Sequence, residues 1–79
     1  MKTYTVIKSH TRRGDKEVSG TLEELISYFS YTLEIGHSYK RSINRNPKTI
    51  KSFISNLNKA FDIKEGACYE RTYIDLKKL

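Results

Sequence analysis

Catalysis requires a nucleophile, a general base or a set of metal ligands, and this chain offers few candidates for any of them. His10 and His37 are its two histidines, and neither has a second His or Cys at metal-ligand spacing. Cys68 is the one cysteine. It would act as a nucleophile only with a base folded beside it, and a lone cysteine at the start of a strand is more commonly core. The sequence has no glycine-rich phosphate loop, nucleophile elbow or paired-carboxylate signature. Glu23 and Glu24 stand at a helix start, where carboxylates suit the macrodipole, which accounts for them without an active site. Arg13-Gly14-Asp15 matches an adhesion tripeptide, but a hairpin tip explains it better. The expectation is a chain that is not an enzyme and uses no cofactor.

The chemistry that does stand out is cationic. The 79 residues carry a net charge of +6, unevenly distributed. Residues 1–14 hold Lys2, Lys8, Arg12 and Arg13 with no acid, whereas residues 15–35 set Lys16 against Asp15, Glu17, Glu23, Glu24 and Glu34. Residues 36–61 contain Lys40, Arg41, Arg45, Lys48, Lys51 and Lys59 and no Asp or Glu at all. Within that stretch Tyr39, Lys40, Arg41, Asn44 and Arg45 belong to a loop, and Lys48 and Lys51 to the helix start that follows. Guanidinium and ammonium groups suit phosphates, an amide suits base or sugar edges, and a tyrosine ring suits stacking. Lys48, Lys51, Ser55 and Lys59 also share the helix face away from the apolar stripe. These seven residues, Tyr39, Lys40, Arg41, Asn44, Arg45, Lys48 and Lys51, are the candidate site for a nucleotide or nucleic acid. The competing use of the same charges is a solvated face that keeps a small protein in solution.

The elements that would position them follow from periodicity and punctuation. Lys2 to His10 is rich in Thr, Tyr, Val and Ile and reads as a strand. Arg12-Arg13-Gly14-Asp15-Lys16 is a turn, and a second short strand follows around Glu17 to Ser19. Thr21 and Glu24 have capping-box spacing, and Leu22, Leu25, Ile26, Phe29 and Leu33 recur at helical spacing, so one helix runs to a stop at Gly36. Its other face carries Glu23, Ser27, Ser30, Tyr31 and Glu34. A second helix opens with Asn46 as N-cap and Pro47 at the first helical position and carries the stripe Ile50, Phe53, Ile54, Leu57 and Phe61. Alternation from Cys68 to Leu76 predicts a third strand, with Tyr69, Arg71, Tyr73 and Asp75 on one side and Cys68, Thr72, Ile74 and Leu76 on the other. The order β-β-α-α-β predicts an α+β fold in a single domain, a small antiparallel three-stranded sheet with two helices on one face. The connection from Gly36 to Asn46 is its one long loop.

Of the six tyrosines, Tyr4, Tyr69 and Tyr73 fall on strands and Tyr28 at the core edge, which leaves Tyr31 and Tyr39 as the ones expected to be exposed. No apolar run reaches the roughly 18 residues of a membrane span, and the first residues lack the apolar stretch of a signal peptide. A lone cysteine excludes an internal disulfide framework and fits a reducing compartment. These features point to the cytoplasm and to no membrane partner. A core this thin, together with exposed sheet edges, also favours homo-oligomers.

The run Ser19-Gly20-Thr21-Leu22-Glu23-Glu24-Leu25-Ile26, then Tyr28-Phe29-Ser30-Tyr31-Thr32-Leu33-Glu34, then Ile43-Asn44-Arg45-Asn46-Pro47-Lys48-Thr49-Ile50-Lys51-Ser52, resembles a set of short bacteriophage accessory proteins. The resemblance continues through Asn56-Leu57-Asn58 to Cys68-Tyr69, and so covers most of the chain. It brings no activity and no residue roles. What it implies is context: small phage accessory proteins commonly bind and inhibit a host enzyme or defence system, or sequester a nucleotide signal, in the host-cell cytoplasm. The functional expectation is therefore a non-catalytic accessory protein, with anti-defence among the roles the resemblance implies, that binds an anionic partner through its basic loop and helix start. The alternative is a protein–protein inhibitor of a host protein, or a homo-oligomeric interaction module, using the acidic helix face of Glu23, Ser27, Tyr31 and Glu34 or the strand edges.

Overall fold

Thr, Val, Ile and Tyr near the N-terminus build β1 (Tyr4–His10), which turns through residues 11–13 into β2 (Gly14–Gly20). They belong to a computed structural model that describes residues 2–39, 42–65 and 71–77. The register pairs His10 with Gly14, leaving a three-residue loop. Gly14 takes φ +78°, the left-handed value that closes such loops. The His10 imidazole seals the tip from inside: its Nδ1 accepts the backbone N–H groups of Arg12 and Arg13, each at 3.1 Å. β2 is seven residues long, so the hairpin extends well beyond the short Glu17–Ser19 segment expected.

The Thr21 capping box forms as its spacing requires. Thr21 Oγ1 accepts the Glu24 N–H at 3.2 Å, and Glu24 Oε1 accepts the Thr21 N–H at 3.0 Å. The helix it starts does not run straight. α1 (Leu22–Tyr28) ends in a bend at Phe29, with φ −101° and ψ 16°, and α2 (Ser30–Tyr39) continues beyond it. Among the described residues the expected pair of helices is thus three, with α3 (Ile50–Glu65) as the longest. The bend places the Phe29 ring 5.9 Å from that of Phe53 and 6.5 Å from that of Phe61, so α1 lies by β2 while α2 packs along α3.

Two expected boundaries are corrected. Gly36 does not stop a helix; it lies buried inside α2. A Cβ there would sit 2.7 Å from Ala60 Cβ and 2.9 Å from Ile43 Cδ1, so glycine serves here to let α2 and α3 approach closely. Asn46 and Pro47 do not open α3. Thr49 does, its Oγ1 accepting the Ser52 N–H at 3.1 Å and its carbonyl accepting the Phe53 N–H at 2.9 Å. Pro47 is instead buried in the connecting loop.

β3 (Thr72–Leu76) pairs antiparallel with the other side of β1, giving the strand order β2-β1-β3. Thr72 and Ile74 point inward and Tyr73 and Asp75 outward, the alternation expected for that segment. Its expected beginning, from Cys68 to Glu70, lies outside the described residues. Val6, Leu25, Leu33, Ile43, Phe53 and Leu57 are the largest fully buried side chains, and they form one core between sheet and helices. Tyr28 is not at the core edge: it is exposed, with its ring edge-on to Phe29 at 4.8 Å and the Lys16 ammonium 5.8 Å from its centroid.

Candidate functional site

Burial of Ile43 organises the loop that was expected to hold the site. Its side chain is fully enclosed where Gly36 brings α2 onto α3. His37 Nδ1 lies 2.9 Å from the Ile43 carbonyl. A carbonyl only accepts, so this ring nitrogen carries the proton. One residue on, the Asn44 N–H donates to Asn56 Oδ1 at 2.9 Å, and Asn56 Nδ2 donates to the Ser52 carbonyl at 2.7 Å and to Ser52 Oγ at 3.2 Å. Asn56 is buried, so these bonds are made away from water, where leaving the amide unpaired would cost about 1–3 kcal/mol.

These constraints redistribute the candidate residues. The Asn44 side-chain Oδ1, expected to read a ligand edge, accepts the Asn46 N–H at 2.9 Å and shapes the loop instead. Arg45 is folded back on α2, with Nη1 3.1 Å from Glu34 Oε1 and 3.3 Å from Oε2. Its charge is therefore answered by a carboxylate from the acidic helix face, and the two surfaces read as rivals meet in one ion pair. Tyr39 is 76% exposed at the end of α2. Lys40 and Arg41 lie outside the described residues. Lys48 and Lys51 are exposed at the other end of the site, around the first turn of α3. Gly36, three residues before Tyr39, sits against Ala60, whereas Lys51 is nine positions earlier on α3, about 14 Å along its axis.

What the fold does assemble is a row. Lys51, Ser55 and Lys59 are exposed along the outer side of α3, Lys48 is exposed in the loop just before its Thr49 cap, and none of the three lysines takes part in an ion pair among the described residues. The row ends beside a cleft of about 270 Å³ between α3 and the outer edge of β3, lined by Asn58, Lys59, Phe61, Asp62, Arg71, Thr72 and Tyr73. The Tyr73 side chain, as a hydrogen-bond partner and by its charge when ionised, pushes the Arg71 guanidinium pKa upward, and the nearby Asp62 adds to this.

Asn56 and Asn58 are the residues that the sequence-based assignment missed. Asn58 pairs with the free edge of β3 as another strand would: Nδ2 donates to the Ile74 carbonyl at 3.0 Å and Oδ1 accepts the Ile74 N–H at 2.8 Å. The available signal was two asparagines, poor helix formers, inside a helix and flanking Leu57 of its apolar stripe. Among the described residues no three His, Cys, Asp or Glu side chains cluster so as to hold a metal ion. No helix formed by the described residues is long and apolar enough to cross a membrane. Comparison of the chain with protein-family models, with curated proteins and with solved structures yields no match.

Proposed function

We propose that this protein is a non-catalytic binding module whose partner is a nucleic acid, held through its phosphates by the outer face of α3 and the loop leading into it. The observation that carries this is the row of Lys48, Lys51 and Lys59, three exposed ammonium groups without a carboxylate partner among the described residues, on a segment free of acids from residue 36 to 61. An open row suits a polyanion. A small nucleotide signal would want cations converging on a cavity, and the depression beside the loop, lined by Ile26, Ser27, Ser30, Glu34, Arg45 and Asn46, contains the Glu34 carboxylate. The accessory, counter-host role implied by the bacteriophage resemblance suits such a binder.

Fluorescence anisotropy with a labelled 20-nucleotide probe tests this across a salt series. Each phosphate contact contributes about −0.7 to the slope of log K against log salt on a single strand, so three lysines give a slope near −2. Substituting Lys48, Lys51 and Lys59 together by Ala should flatten it. Equal affinity and slope in the triple variant would remove the nucleic-acid reading.

A second reading, an interaction module for a host protein or a second copy, has one observation in its favour. The outer edge of β3 is closed at Ile74 by Asn58, while β2 lies at the other edge of the sheet with no strand beyond it among the described residues. Gel filtration at low and high salt separates the two, because pairing along a strand edge persists when salt screens charge.

A further inference from the structure

The cleft at the end of the lysine row has the chemistry of a base-stacking site. Phe61 is almost fully buried and forms an apolar floor, and the Lys8 ammonium lies 5.7 Å from its ring centroid. Tyr73 lines the cleft too, with 54% of its surface exposed, on the side of β3 opposite to the buried Thr72 and Ile74. Its exposed ring leaves a π-face open for stacking, and its hydroxyl stays with water or polar neighbours. The polar groups around it are mixed: Arg71 offers donors, Asp62 offers an acceptor, and Lys59 belongs both to the cleft and to the α3 row. Asn58 lines the cleft, but its amide is already committed to Ile74.

We infer that this cleft receives one unstacked base of a single-stranded nucleic acid, with the base on the Tyr73 ring and the adjoining phosphates on Lys59 and the α3 row. This rests on the reading of α3 as a phosphate-binding face and narrows it from nucleic acids in general to single strands. A cleft of about 270 Å³ is just below the size of common small-molecule sites. It suits one planar ring. The bases of a duplex are stacked on one another, so a duplex can use the lysines but has no free face to offer Tyr73. Single strands do, and stacking on an aromatic side chain is tolerant of sequence because every base has a π-face.

The test compares a 20-nucleotide single strand with the matching duplex on the wild type, Tyr73→Ala, Tyr73→Phe and Lys51→Ala/Lys59→Ala. Tyr73→Ala should weaken single-strand binding about 10-fold, leave the salt slope unchanged and leave duplex binding as it was. Tyr73→Phe, which keeps the ring, should stay within about twofold of the wild type. A strand carrying 5-iodouracil, irradiated on the unaltered protein, should crosslink at Tyr73, which frees the result from any effect of substitution on folding. If Tyr73→Ala binds single strands like the wild type, or crosslinks fall elsewhere, the cleft is not a base site. Equal losses on duplex and single strand would also overturn it. In those cases the α3 reading stands provided the lysine variant is weakened, whereas a wild type that binds neither probe ends both proposals.

Discussion

Asn58 is the side chain on which the outer edge of the sheet depends. Its amide presents one donor and one acceptor at the spacing of a peptide group, and Ile74 uses both. Asn58→Ala leaves a donor and an acceptor of a nearly buried residue unpaired and should cost about 2–4 kcal/mol in denaturant unfolding, with faster exchange of the Ile74 amide. Glu24 gives the molecule a pH-dependent contact at its surface. Bonds from the Thr21 backbone N–H and then the Thr21 hydroxyl hold its carboxyl below the ordinary value of 4.5. A carboxyl lowered in the folded state contributes stability that is present above its unfolded value and is lost as pH falls through its folded one. The wild type should therefore begin to loosen at the start of α1 on acidification, as read by circular dichroism. Glu24→Gln, which keeps an acceptor but does not titrate there, should lack that component.

At the scale of elements, the loop is held by what packs beneath it and not by its charge. Gly36 permits the α2–α3 contact into which Ile43 fits, and Ala60 presents both Cβ and Cα to the missing Cβ position, at 2.7 and 3.2 Å. Alanine at 36 gains about 1 kcal/mol of helix propensity but must push two backbones apart. Gly36→Ala should therefore lower stability by about 1–2 kcal/mol net, measured as a shift of the unfolding midpoint, although the same change in an exposed helix would stabilise. The Arg45–Glu34 pair is half-exposed, with side-chain exposures of 48% and 60%, and contributes little to stability. Its consequence is for binding. Glu34→Gln releases the Arg45 guanidinium and removes an acid near the loop, so nucleic-acid affinity should rise severalfold at low salt while the unfolding free energy changes by less than about 0.5 kcal/mol.

As a whole the molecule is a slab, with principal extents of 37 × 29 × 16 Å. One sheet and one helical layer account for the short dimension, so no point is far from solvent and an enclosed ligand cavity has no room. Function must lie on surfaces, and the surfaces differ. The outer side of α3 is basic. The face of the sheet turned away from the helices carries Asp15, Glu17 and Asp75 around Ile7, with Lys77 paired to Glu17 at 2.7 Å. The phosphates of a polyanion should therefore gather along α3. Substitutions on the open sheet face away from β3, such as Glu17→Gln on β2, should change nucleic-acid affinity by less than about twofold at 0.15 M salt, where the Debye length is about 8 Å. Equal sensitivity on both sides would mean that binding follows net charge and not the α3 row.

Local order in the chain was enough for the elements with strong internal signals. The Thr21–Glu24 spacing makes a capping box wherever a helix starts, a glycine at the hairpin tip accepts a positive φ, and the alternation from Thr72 to Leu76 must put every second side chain on the core. The same periodicity placed Lys51, Ser55 and Lys59 on one exposed face before any fold was in view, while Lys48, expected with them, falls in the loop before the helix. What it could not settle were choices made by contacts distant along the chain. Gly36 has the composition of a helix stop and becomes a packing gap only because Ala60 and Ile43 arrive there. Asn46-Pro47 has the form of a helix start, yet burial of the loop pulls Pro47 inward and hands the cap to Thr49. Arg45 is a free cation in sequence and a partner of Glu34 in space. Asn58 is an undistinguished helix residue until β3 is laid beside it, because hydrogen bonds and close packing depend on positions in three dimensions that no period along the chain encodes.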